Sequence, residues 1–457
     1  MSKTSPFTEL LHALRTATAT FPDIRTGKNK HYTVRDAALG AFAVFFTQSP
    51  SFLAYQRDMA AHKGQSNAHT LFGLTEIPCD NQIRILLDPV PPELLGPVFD
   101  HGFNALVQTQ QISAFRSWQQ RLLVVLDGTQ YFTSQNISCP QCARQTHRNG
   151  TTPYSHRRLT PVIVAPHQNK VIPLPPEFIV PQDGHAKQDC ENAAAKRWLH
   201  KYAATYRAHN LTILGDDLYA TQPICEVLIK ERLPFILVCK PDSHPTLYAE
   251  LAQRTLGKDL HQLTHSVHSP SGVTHATYRY ASQLPLRASA DTLSVNWCEL
   301  TLTDAAGTQL YHNAFMTQAP LTAKTVAPIV QAGRTRWKVE NENNNTLKTQ
   351  GYHLEHNFGH GTQHLAALLA SFNLLAFLFH TLLDLLDAQY HPLRRTLVSR
   401  KTFFDDLRAL TRYLCFTSWT HLLTFMLHGL HGHRPLNSTH GTSHPALRSA
   451  RSRSPPC

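Results

Sequence analysis

What this chain can fold into is constrained first by five short apolar runs. Leu-Leu-Val-Val-Leu at 122–126, Pro-Val-Ile-Val-Ala at 161–165 and Lys-Val-Ile-Pro-Leu at 170–174 come in close succession. Leu-Thr-Ile-Leu-Gly at 211–215 and Phe-Ile-Leu-Val at 235–238 follow, alternating with helical patterns at 190–207 and 221–231. Runs that are apolar at nearly every position, rather than at alternate ones, suit strands buried on both faces. The order β-β-β-α-β-α-β therefore predicts an α/β domain whose mixed sheet carries helices on each side. With 457 residues, 42% apolar and only 16% charged, the chain has enough apolar surface for a large core and more than one packed unit.

Around that core the pattern divides the chain. Residues 1–118 show helical spacing, with Arg25, Lys28, Lys30 and Arg35 near a helix junction; they read either as a DNA-binding unit or as a helical cap on the next domain. Residues 119–242 hold the first part of the core. Residues 243–320 break the rhythm and carry three strand-like stretches, at 274–280, 297–302 and 310–315, expected to form a β-rich inserted subdomain. One long helix is expected over 322–350, stopping at Gly351, and the apolar run 365–379 is read as a buried helix closing the core within 321–390. It falls short of the roughly 20 residues that cross a bilayer. A helical region at 391–433 and a basic, disordered tail at 434–457 complete the expectation.

Charge narrows the function. Forty-three Lys and Arg against thirty-one Asp and Glu give +12, and the last seventy residues carry ten Lys or Arg but only Asp405 and Asp406 as acids. That balance favours a polyanionic partner, nucleic acid first. Nine scattered Cys and an amino terminus without an apolar targeting segment fit a reducing cytoplasm.

The candidate chemistry is carboxylate chemistry. Asp127 directly follows the first apolar run and Asp216 the fourth, so both sit at the sheet's open edge, where α/β folds keep their sites. Asp217 is the adjacent alternative. If the two strands are neighbours, the carboxylates converge and call for a hard divalent cation between them. At about 100° per residue, Arg336, Glu340 and Lys348 share one face of the long helix, while Glu342 points about 160° away from Glu340.

This order of strands, acids and helix resembles the DDE transposases with an RNase H-like core, and within them the insertion-sequence-four type. The helix of that type carries Tyr-x2-Arg-x3-Glu-x6-Lys. Arg336 and Glu340 keep its Arg-to-Glu spacing; the Tyr falls at Gly333 and the Lys at Leu347, one residue before Lys348. Trp337-Lys338-Val339-Glu340 matches the family's Arg-Trp-x-Ile-Glu habit, and the spacing from Asp216 to the aromatic Tyr219 favours Asp216 over Asp217. The likeness runs from about 120 to 380.

It implies a transposase that binds terminal inverted repeats and cuts and joins DNA. Asp127, Asp216 and Glu340 would act as the catalytic triad, holding two Mg²⁺, with Mn²⁺ as substitute, roughly 3.5–4 Å apart. Arg336, Lys348, His356 and His360 would face phosphate. Double-stranded DNA, both element ends and target, would be the partner, engaged by a homodimer or larger assembly at the nucleoid. Two other readings share the residues: an RNase H-like endonuclease without strand transfer, and a transposase-derived DNA-binding protein with a dead site.

Cys139-Pro140-Gln141-Cys142 is half of a zinc site, with His147 and His156 as partners; the alternative is a reduced basic loop facing DNA with Arg144, Arg148, Arg157 and Arg158. Asp189 and Glu191 read as acids at a helix start, favoured by its dipole. His353, Glu355, His356, His360 and His364 read as a phosphate-facing loop rather than a second metal centre. Tyr352 and Phe358 are candidates for stacking on unpaired bases or for the core.

Overall fold

The computed structural model describes residues 5–27, 30–60, 66–144, 150–181, 189–257, 259–269, 272–397 and 399–431. Five helices open the chain: α1 (Pro6–Thr18), α2 (Val34–Phe46), α3 (Phe52–Ala60), α4 (Asp80–Leu87) and α5 (Gly96–Gln108). Pro6 occupies the first turn of α1, where no amide partner is required, and Ser5 Oγ accepts from the Thr8 amide at 3.3 Å. Thr33 starts α2 reciprocally, its hydroxyl accepting from the Asp36 amide at 2.9 Å and donating to the Asp36 carboxylate at 2.7 Å. Every residue of α2 except Arg35 is buried. Asp23 takes up Arg25 and Lys30, at 2.9 and 3.3 Å, and Lys28 lies outside the described residues.

The strands follow in two sheets. β1 (Leu122–Val125) leads into β2 (Gly128–Ser134), β3 (Ala143–Arg144) and β4 (Tyr154–Leu159); next come β5 (Val162–Ala165), β6 (Gln168–Pro173) and β7 (Glu177–Ile179). β2, β3, β4 and β7 form a small sheet, its first three strands lying between the first two apolar runs, where a loop was expected. After α6 (Glu191–Arg207) come β8 (Leu211–Gly215), α7 (Gln222–Lys230), β9 (Phe235–Val238) and α8 (Pro245–Leu256). Four antiparallel strands complete the series: β10 (His261–Ser269), β11 (Gly272–Pro285), β12 (Ser294–Asp304) and β13 (Gln309–Thr317).

The large sheet is mixed, nine-stranded and ordered β10-β11-β12-β13-β9-β8-β1-β5-β6. β1, β8 and β9 run parallel, β5 folds back antiparallel on β1, and β6 pairs antiparallel with β5, returning to the direction of β1. Every residue of β1, β5, β8 and β9 is buried, as uniformly apolar strands between layers require. The expected β subdomain takes a different form. It has four strands, and β13 pairs antiparallel with β9, so the strands extend the core sheet instead of standing apart.

The expected single helix over 322–350 is also corrected. α9 (Val326–Arg334) passes into a 3₁₀ turn at Thr335–Trp337, a π-helical segment at Val339–Asn344 and then α10 (Asn345–Thr349). The wide turn falls on the Asn run, whose side chains compete for local hydrogen bonds: Asn343 Nδ2 donates to Asn344 Oδ1 at 2.9 Å. α11 (Leu365–Leu386) runs seven residues beyond the expected end at 379. Its 22 residues are long and apolar enough to span a membrane, but 89% of its most apolar stretch is buried inside the protein, against α1, α2 and α5.

The chain closes with α12 (Tyr390–Thr396), α13 (Arg400–Tyr413) and α14 (Trp419–His431). These return to the amino-terminal helices. Asn67 Nδ2 donates to the carbonyls of Thr411 and Leu414 at 2.7 Å, Arg412 pairs with Asp58 at 2.8 Å, and Phe7 stacks on Trp419 at 4.8 Å. The two terminal regions thus form one helical body around α11. The expected tail at 434–457 lies outside the described residues.

Candidate active site

The register of the parallel strands sets the first two acids. Val125 pairs with Leu214, so Asp127 and Asp216 each leave the sheet two residues beyond the same rung. Burial pushes the Asp127 carboxyl up to about 7, and the charges of Glu191 and Asp216 push the same way; Arg336 and the Asn344 amide oppose them. Asp216 caps its own turn, accepting from the Leu218 amide at 2.9 Å. Asp217 is occupied elsewhere: one oxygen accepts from the Lys240 amide at 2.8 Å and the other from the Ser243 hydroxyl. Lys240 thus belongs to a turn fastened by Asp217.

The helix brings the third acid. Asn344 Nδ2 donates to Asp127 Oδ2 at 2.9 Å and to Glu340 Oε2 at 3.2 Å, bridging strand end and helix across 217 residues of sequence. Asn344 was not singled out from sequence. Lying four residues after Glu340, it falls about 40° from it at 100° per residue, on the face that carries Arg336, Glu340 and Lys348. Glu342 lies on another side, lining a cavity with Lys170, Asp384, Arg394 and Arg400. Lys338 is buried and donates to the carbonyls of Ala165, Pro166 and Gln168 at 2.6–3.1 Å, pinning the helix to the β5–β6 turn. Gly333 stands where the family signature has Tyr. A Cβ there would meet the Phe315 ring at 2.8 Å, so the helix packs too close for a larger residue.

A fourth carboxylate enters unannounced. Glu191, expected to serve the dipole of α6, instead turns back across the site: its Oε1 accepts from the Gly128 amide at 2.9 Å and from the buried Tyr219 hydroxyl. A Cβ at Gly128 would meet the Glu191 carboxylate at 2.1 Å, so only glycine permits this approach. The D-x-x-aromatic spacing from Asp216 ends on Tyr219, which holds Glu191. Asp189 is the structural member of the pair, accepting from Arg197 at 2.8 and 3.0 Å.

The ligand atoms on offer are carboxylate oxygens, the chemistry that suits Mg²⁺ or Mn²⁺. At Asp127 burial and the Glu191 charge outweigh the opposing Arg336, so its carboxylate form is disfavoured in the absence of a bound cation. Among the described residues, the side chains close enough together to hold a metal ion as they stand are not these three acids but a second group.

That group is Cys139, Cys142, His156 and His360, whose ligand atoms all lie within 4.8 Å of one another. His147 lies outside the described residues. His360, read as phosphate-facing, sits with the two thiols and packs edge-on against Phe132 at 4.1 Å. Of the other residues read as phosphate-facing, Lys348 pairs with Glu355 at 3.2 Å and His356 packs on Phe358 at 4.7 Å. Both aromatic stacking candidates are core residues: Phe358 packs against Phe45 and Phe52, and the Tyr352 hydroxyl meets His380 Nδ1 at 2.5 Å and Arg400 at 3.0 Å. Arg158, grouped with a DNA-facing loop, is fully buried and donates to the Ala370 carbonyl at 2.6 Å.

No protein-family model matches the chain, and no curated protein matches it. Among solved structures the chain is similar to piggyBac transposase in a cryo-EM synaptic complex with hairpin DNA, at 11% identity and a TM-score of 0.40. The match covers 94% of this chain and 80% of that one. A likeness this distant carries no argument, and the functional reading rests on the residues.

Proposed function

We propose that the protein is a DDE-class DNA transposase of the insertion-sequence-four type, with an RNase H-like core, acting on terminal inverted repeats. The observation that carries this reading is the Asn344 amide held between Asp127 at a strand end and Glu340 on the helix, with Asp216 leaving the neighbouring parallel strand in register. The strand order β6-β5-β1-β8-β9, in which only β5 runs against the other four, supports the core assignment.

In this reading Asp127, Asp216 and Glu340 hold two divalent cations, which when bound supply Lewis acidity and an activated water or DNA 3′-hydroxyl. Asn344 orients two of the acids. Glu191 and Tyr219 fix the backbone directly after Asp127. Arg336, whose charge already reaches Asp127, presents a guanidinium to the adjacent phosphate. Joining two element ends calls for at least two protomers.

The test is strand transfer. Full-length protein is given labelled DNA bearing the element's own ends, either intact or pre-cut to a 3′-hydroxyl, with Mg²⁺ or a chelator. Joined products from the pre-cut end, only with Mg²⁺, are expected. Cutting without joining would replace the transposase by an endonuclease, and neither reaction would overturn both.

A further inference from the structure

We propose that Cys139, Cys142, His156 and His360 form a structural zinc site that fastens the small sheet to the segment following the Glu340 helix. This site stands independently of the transposase reading.

The donors come from three places. Cys139 and Cys142 flank a tight turn, with the Cys142 amide donating to the Cys139 carbonyl at 3.1 Å; His156 projects from β4; His360 precedes α11. The sulfurs are 3.6 Å apart, His156 Nε2 is 3.3 Å from each, and His360 Nδ1 is 3.1 Å from His156 Nε2 and 4.0 Å from Cys142 Sγ. A tetrahedron with Zn–S near 2.3 Å and Zn–N near 2.05 Å requires separations of about 3.8 Å for S–S, 3.6 Å for S–N and 3.3 Å for N–N. Those five separations lie within about half an ångström of that requirement, and all four ligand atoms lie within 4.8 Å of one another. The sulfurs stand too far apart for a disulfide, whose bond is about 2.05 Å.

The surroundings are closed. Cys142 and His156 are buried, Tyr131 stacks on the His156 ring and Phe132 meets His360 edge-on, so the rings are held in place without metal. Four protein donors leave no open position, which makes the site structural instead of catalytic. Two thiols and two imidazoles choose zinc over Mg²⁺ or Ca²⁺, which take oxygen. The consequence is mechanical. β2 begins one residue after Asp127, and His360 follows the helix that carries Glu340, so one ion would tie together segments more than 200 residues apart on either side of the acids.

The test is metal content and spectroscopy of the full chain. Wild-type protein purified with reductant should retain about one zinc per chain through dialysis. C142S and H360A should lose it to a chelator that the wild type resists, while H147A retains it. Cobalt loaded into wild-type protein should give a thiolate charge-transfer band and the visible bands of tetrahedral cobalt, a readout needing no variant to fold. Absence of zinc together with no cobalt–thiolate band would overturn the proposal. So would a Cys139–Cys142 disulfide in protein purified with reductant, or retention by H360A with loss by H147A.

Discussion

Asp127 is a carboxyl whose environment works against its charge. Its folded value of about 7 lies above the ordinary 3.8, so the folded protein holds a proton that the unfolded chain releases, and this carboxyl makes stability fall as pH rises from about 4 to 7. Asp127→Asn removes that loss. Without divalent cations it should melt several degrees above wild type at pH 8, with the gap closing by about pH 4, as read by calorimetry; an equal melting point at pH 8 would contradict the electrostatic account. Asn344 makes the complementary case. Asn344→Ala withdraws the donor shared by Asp127 and Glu340. Cleavage should fall by about tenfold or more, the effect of losing one orienting hydrogen bond, with binding of the ends retained. Unchanged cleavage would make Asn344 a bystander.

At the scale of elements, the close approach of α9 to β13 is the feature most exposed to substitution. Gly333→Ala should cost about 1–3 kcal/mol in denaturant unfolding, because the new methyl meets the Phe315 ring, and Phe315→Leu should recover part of it. A neutral Gly333→Ala would mean that the helix has room to shift. Elements were also where the sequence was most and least informative. The buried strands were legible because uniform apolar character has few other uses, and the acids at the ends of β1 and β8 came with them. The edge partner of β13 was not, since alternation announces a strand but not its neighbour. The π-helical segment escaped for a related reason: a run of Asn carries no periodic signal that tells a wide turn from a regular one. A constant rotation per residue puts Asn344 on the same face as Arg336, Glu340 and Lys348, but nothing local marks it as a donor to an acid at a strand end. Glu191 was misjudged because a helix start gives an acid a local reason to be there, and nothing local pointed back to Gly128. His360 lies more than 200 residues from the cysteines it joins, beyond the reach of spacing rules.

For the whole molecule, the proposed function gives the +12 charge a role on DNA. A protein neutralising six or more phosphates releases as many counterions, so affinity for the ends should drop by about 10³-fold between about 50 and 200 mM salt. A flat response in a filter-binding titration would mean that the basic surplus does not touch DNA. The terminal helices close around α11, and α11 follows directly on the segment that holds His360. The central claim is that Asp127, Asp216 and Glu340 act as one unit. The most direct measurement compares cleavage and joining of labelled element ends by wild type and by Asp127→Ala, Asp216→Ala, Glu340→Ala and Glu342→Ala, with end binding checked for each. The account predicts both reactions lost in the first three and kept in Glu342→Ala; full activity in any of the first three would contradict it.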